Sequence, residues 1–121
     1  MNEAKLRLVD YLGHMLEATE RCHVYVEDMD EAAFLADGKT QDAVIRTLEV
    51  LGEASNNIRK SFPEFVADHP EIPFGRVVGM RNVLSHGYFQ VDLEVVWRVV
   101  HADLPPLHDA VKALLDSWVA P

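Results

Sequence analysis

Apolar residues return every three or four positions along most of this chain. That rhythm admits little besides amphipathic helices packed on one another. Leu8, Leu12, Met15, Cys22 and Val26 form a first seam, with Thr19 at the missing step, which predicts a helix over residues 3–26. Residues 30–36 suit a short helix capped by Asp30 and stopped by Gly38. Thr40 is then a candidate N-cap for a long helix whose seam is Val44, Leu48, Leu51, Ile58 and Phe62, with Ser55 in the gap and Pro63 as terminator. The stretch PEFVADHPEIP has three prolines in eleven residues and reads as extended or turned. Pro73 suits the first position of a further helix through Phe74, Val77 and Val78, ending near residue 85 or 86 before Gly87. Asp92 can cap the last helical region, where Leu93, Trp97, Val100, Leu104, Leu107, Val111, Leu114 and Trp118 keep the rhythm. Pro105-Pro106 interrupts it, so a kink or break is expected near Leu104. No strand-like alternation and no internal repeat is present. The expected fold is an all-α antiparallel bundle, with four long helical segments plus short helices in one domain over residues 1–121.

Composition narrows the function classes. Of 121 residues, 49% are apolar, enough for one core and too few residues for two domains. The single cysteine, Cys22, excludes an intramolecular disulfide and a Cys-rich zinc site, and suits a reducing cytoplasm. No apolar run approaches the roughly 20 residues that span a bilayer, so no membrane association is expected. MNEAKLRLVD lacks the apolar core of an export signal, so none is expected. The net charge of -9 argues against an extended nucleic-acid coat, which needs a basic face. Charge is uneven, however. Residues 27–37 hold five acids and no base, a pattern of solvated turns, whereas residues 76–101 hold three Arg against two acids.

The chemistry concentrates in MRNVLSHGYF, residues 80–89. Arg81 offers a planar fork of donors for phosphate and for charge developing upon it. His86 titrates near neutral pH and can take or give a proton. Asn82 offers a donor and an acceptor for orienting an oxygen. Tyr88 follows a glycine that permits a sharp turn. Five helical residues advance about 7.5 Å and turn about 140°, so Arg81 and His86 do not share a face of a regular helix. Either the helix unwinds at residues 85–86, or a second subunit completes the site, a twofold axis placing two of each around one cleft. On residue types alone, the more usual roles are structural: Arg on a carboxylate, His capping carbonyls, and Tyr88 as a packing residue.

Arg81-Asn82-Val83-Leu84-Ser85-His86-Gly87-Tyr88 matches the R-x-x-x-x-H-x-Y signature of HEPN-fold ribonucleases and resembles the HepT toxin family. The stretches KTQDAVIRTLEVLGEASNNI, HPEIPFGRVVGMRNVLSHGYFQVDLEVVW and DLPPL are similar to that family in its usual order, so the resemblance covers nearly the whole chain. It implies a HEPN-type homodimer with a composite cleft and metal-independent endonucleolytic cleavage of RNA, with no cofactor. Arg81 and His86 are then catalytic and Asn82 positions substrate. It also implies a cognate minimal nucleotidyltransferase antitoxin that silences the nuclease by transferring AMP to Tyr88. The alternative is a noncatalytic HEPN module that binds a nucleotidyltransferase or a nucleotide.

Other motifs carry less. His101 and His108 lack any accompanying HExxH or carboxylate pairing, so no metal site is expected there. His14, His23 and His69 are isolated, and Cys22 sits on a core seam. No Gly-rich phosphate loop or nucleophile elbow is present. Glu53 is a candidate orienting partner for Arg81 or Arg76 across the bundle.

Overall fold

The computed structural model describes the backbone of residues 3–85 and 91–118, and the side chains of residues 7–80 and 91–118. Its elements are α1 (Glu3–Val26), α2 (Glu31–Leu35), α3 (Gly38–Ser61), α4 (Pro63–Asp68), α5 (Phe74–Ser85), α6 (Leu93–Arg98), a π-helical turn (Val99–Asp103) and α7 (Leu104–Asp116). The described residues contain no strand, and the fold is the expected all-α antiparallel bundle. None of the described helices is long and apolar enough to cross a membrane.

The seams read from the sequence become the core. Leu12, Met15 and Cys22 of α1 meet Val44, Leu51 and Ile58 of α3, all fully buried. α3 is the central element, packed on α1 along one side and on α5 along another, while α7 lies on α1. The two polar gaps in the seams are explained by their hydroxyls. Thr19 Oγ1 donates to the Leu16 carbonyl at 2.7 Å within its own helix. Ser55 Oγ reaches across to the Phe74 carbonyl at 3.0 Å, tying the start of α5 to α3. Ser55→Ala is expected to cost about 1 kcal/mol, the net worth of one buried hydrogen bond. A urea midpoint unchanged by the substitution would show that this tie contributes nothing.

Several boundaries differ from the sequence expectation. Asp37, not Thr40, caps α3: its carboxylate accepts from the Thr40 amide at 3.2 Å and the Thr40 hydroxyl at 3.0 Å. Gly38 therefore opens α3 instead of stopping α2. The end of α2 is satisfied by Gln41, whose Nε2 donates to the carbonyls of Phe34 and Leu35 at 2.9 and 3.1 Å. Asp30 caps α2 as expected, and Asp92 caps α6. Pro63 ends α3 but also starts α4, because the first turn of a helix needs no N–H from it. The stretch expected to be extended or turned thus begins with a helical turn and a half. Pro73 stands just before α5, its carbonyl accepting from the Val77 amide at 3.1 Å.

The double proline does not break the last helix. Pro105 and Pro106 lack amide hydrogens, and their rings crowd the carbonyls four residues back. The chain widens one turn ahead of them, and the Leu104 amide bonds to the Val99 carbonyl five residues earlier. Such a π-turn carries the chain past the prolines while staying helical. Val100, Leu104, Leu107 and Val111 accordingly all remain buried.

Candidate functional site

α5 carries the first part of the chemistry-bearing segment, Met80 to Ser85. Arg81 and Asn82 fall within this helix, which remains α-helical through Ser85. Arg81 follows Phe74, Val77 and Val78 in register, seven, four and three residues on, and those three are the buried contacts of α5 with the core. Asn82 is one residue further around. The side chains of Arg81 and Asn82, and the whole of His86, Gly87 and Tyr88, lie outside the described residues. α5 is anchored at its start by the Ser55 bond and along its length by α3, so the segment leaves a fixed helix.

On its other flank α5 stands off from the C-terminal helical run, leaving a cavity of about 510 Å³. Leu48, Val77, Met80, Val96, Val99 and Leu107 give it apolar walls. Arg76 and Asp103 form an ion pair there, Nη2 to Oδ1 at 3.1 Å, joining α5 to the π-turn. Their side chains are 74% and 36% exposed, so the pair lies where solvent enters. Asp103 was not legible as a partner in the sequence, because 27 residues separate it from Arg76. Of the two partners suggested for Glu53, Arg76 is thus engaged elsewhere. Glu53 borders a second, smaller cavity of about 330 Å³ with Tyr11, His14, Arg46 and Asn57.

Residues 15–114 match the family described as Ribonuclease HepT-like, a span that includes all of α5 and the segment from Arg81 to Tyr88. The chain belongs to the HepT-like ribonuclease family. It is 45% identical over 105 residues to "Probable ribonuclease HepT" of Thermococcus cleftensis, covering 87% of this chain and 93% of that protein. It is 34% identical over 102 residues to a "Putative RNase" of Methanocaldococcus jannaschii, covering 84% and 91%. A "Putative RNase" of Caldanaerobacter subterraneus is 33% identical over 107 residues, covering 88% and 93%. No solved structure matches the chain.

Three other histidines of this HepT-like protein, His69, His101 and His108, have local partners. His69 Nδ1 donates to the Phe65 carbonyl at 2.9 Å, its ring stacked on Phe65. His101 does the same with the Trp97 carbonyl at 2.9 Å, its ring 3.8 Å from Trp97. Among the described residues no group of three or more His, Cys, Asp or Glu is arranged to hold a metal ion. The Cys22 thiol is pushed up to about 12 by burial, which makes it inert at neutral pH.

His108 joins α7 to α1. Its ring nitrogens lie 3.1 Å from Asp109 and 3.0 Å from Glu20. The hydrogen bond to Asp109, then that to Glu20, raises its pKa above the ordinary 6.5. A raised folded-state pKa means that the stabilisation is complete below the unfolded value and is lost as pH rises through the folded one. Wild-type stability is therefore expected to fall across the range just above pH 6.5, and His108→Gln to flatten that slope. Urea titrations at several pH values check this; parallel profiles for the two proteins would refute it.

Proposed function

We propose that the protein cleaves RNA internally, without a metal, as the toxin of a toxin–antitoxin pair acting in the cytoplasm. The observation that carries this reading is the R-x-x-x-x-H-x-Y segment leaving α5 inside the span matched to the family. His86 removes the proton of a ribose 2′-hydroxyl. The 2′-oxygen attacks the adjacent phosphorus, and the bond to the 5′-oxygen breaks. His86 of the second protomer supplies the proton to that leaving oxygen. Arg81 stabilises the extra negative charge on the phosphoryl oxygens, and Asn82 positions the phosphate. The homodimer supplies the second imidazole this division of labour needs: one copy carries a single His86, and a twofold axis brings two to one cleft.

The products are a 2′,3′-cyclic phosphate and a 5′-hydroxyl. Incubating purified protein with single-stranded RNA in EDTA tests this through end-group analysis. DNA of the same sequence lacks the nucleophile and should survive. Cleavage that requires added metal, or that leaves a 5′-phosphate, would contradict the mechanism.

Tyr88 is the control point in this reading. A nucleotidyltransferase partner directs the Tyr88 hydroxyl at the α-phosphate of ATP, pyrophosphate leaves, and AMP remains bound to the ring. Its negative charge and bulk repel and exclude RNA. Tyr88→Phe is expected to retain toxicity on expression and to escape neutralisation by the partner. Survival of cells carrying the Phe variant together with the partner, at the wild-type level, would count against the modification site.

A further inference from the structure

The cavity between α5 and the C-terminal helical run has no part in the cleavage chemistry above. We propose that it is a nucleobase pocket that holds the base beside the scissile linkage, with guanine preferred. This deepens the ribonuclease reading and rests on it for the source of the base, not for the binding chemistry. A volume of about 510 Å³ lies within the ordinary range for small-molecule sites.

The distribution of polarity selects the occupant. The walls are apolar, whereas Glu71, Arg76 and Asp103 are the charged groups that border the cavity among the described residues. A phosphate would meet two carboxylates and a guanidinium already engaged 3.1 Å from one of them. A purely apolar ligand would leave the ion pair unused. A flat, neutral ring with a polar edge satisfies both features: its faces lie against Val, Leu and Met side chains and its edge meets the pair. Guanine carries two adjacent N–H donors beside a carbonyl. The Asp103 carboxylate can accept both N–H bonds while Arg76 donates to the carbonyl. Uracil has one N–H between two carbonyls and cannot give a carboxylate two bonds. The position also fits. Met80 lines the cavity and directly precedes Arg81. Arg76 is five residues earlier, about 7.5 Å of helix rise.

The test is methyl NMR of the full chain, observing Met80 and Val95, titrated with guanosine 5′-monophosphate and, separately, uridine 5′-monophosphate. Both carry the same phosphate, so the difference reports the base. The guanine nucleotide is expected to move both signals and to bind about tenfold more tightly. Asp103→Asn keeps the side-chain shape and is expected to erase that preference. Val95 is 38% exposed at the cavity, so Val95→Phe should block entry without touching the ion pair. No shift with the guanine nucleotide, or equal shifts with both, overturns the pocket. So do Met80 and Val95 signals that move on simple dilution of the free protein, because a second copy would then occupy the cavity. His86-dependent RNA cleavage without nucleotide binding removes the pocket alone. Guanine binding in a protein that cuts no RNA removes the ribonuclease reading and leaves the pocket standing.

Discussion

His86→Ala is expected to lower the rate of RNA cleavage by at least about 10³-fold, towards the upper end of what one general acid–base group contributes. The effect is large because one substitution strikes twice. In the proposed twofold dimer the same residue would serve as base in one copy and as acid in the other, so both proton transfers would be lost together. Arg81→Ala is expected to cost about 10²–10³-fold, the usual loss when one donor to a developing oxyanion is removed. The two variants should differ in pH dependence. The wild-type rate is expected to pass through a maximum, one limb from the basic imidazole and one from its protonated counterpart. Arg81→Ala should keep that shape at a lower level, while His86→Ala should lose it. Circular dichroism and gel filtration establish that each variant remains folded and assembled. Undiminished cleavage by folded His86→Ala would end the catalytic assignment and leave a helical module that only binds.

The second large effect concerns stability. Phe34→Ala is expected to cost about 3–5 kcal/mol, the range for removing a fully buried aromatic ring. Phe34 has no exposed surface, although it belongs to the five-residue helix α2. Its ring lies 5.4 Å from that of Trp97, so it connects α2 to α6 as well as to the core. A loss of this size is a large share of the stability typical of a domain, about 5–15 kcal/mol. The neighbouring Leu35 is 37% exposed, and Leu35→Ala should stay within about 0.5 kcal/mol. Urea denaturation of the two variants makes the comparison. Equal losses would mean that α2 is a surface strap and not part of the core.

Much of the bundle was legible because helix formation and burial share one period. Leu12, Met15, Val44, Leu51 and Val111 are all on the seams and all fully buried. The gaps at Thr19 and Ser55 were visible, but their reasons were not: Thr19 bonds within its helix, and Ser55 bonds a carbonyl 19 residues away. Phe34 was missed as a core residue because a helix of five residues has too few turns to display a period. The boundary at Asp37 was missed because Asp37, Gly38 and Thr40 are all residues that helix ends favour, and local composition does not rank them. The double proline announced a disruption, yet a π-turn gave the chain a way to remain helical that spacing does not reveal.

For the candidate site the division is sharper. Arg81, Asn82, His86 and Tyr88 could be named from the sequence because their types and spacing are local and match one family's signature. Arg81 and Asn82 fall on a helix tied down by Ser55, a consequence of α3 packing on α5. The Arg76–Asp103 pair and the apolar cavity it borders have no sequence trace, since they join residues distant along the chain. The sequence by itself determined the helical periods, the caps that used one residue type, and which residues are candidates for the chemistry, all features that show within a few residues. The tertiary structure alone decided which helices meet, which gaps are filled, and where a cavity opens, because those depend on the summed packing of surfaces far apart along the backbone.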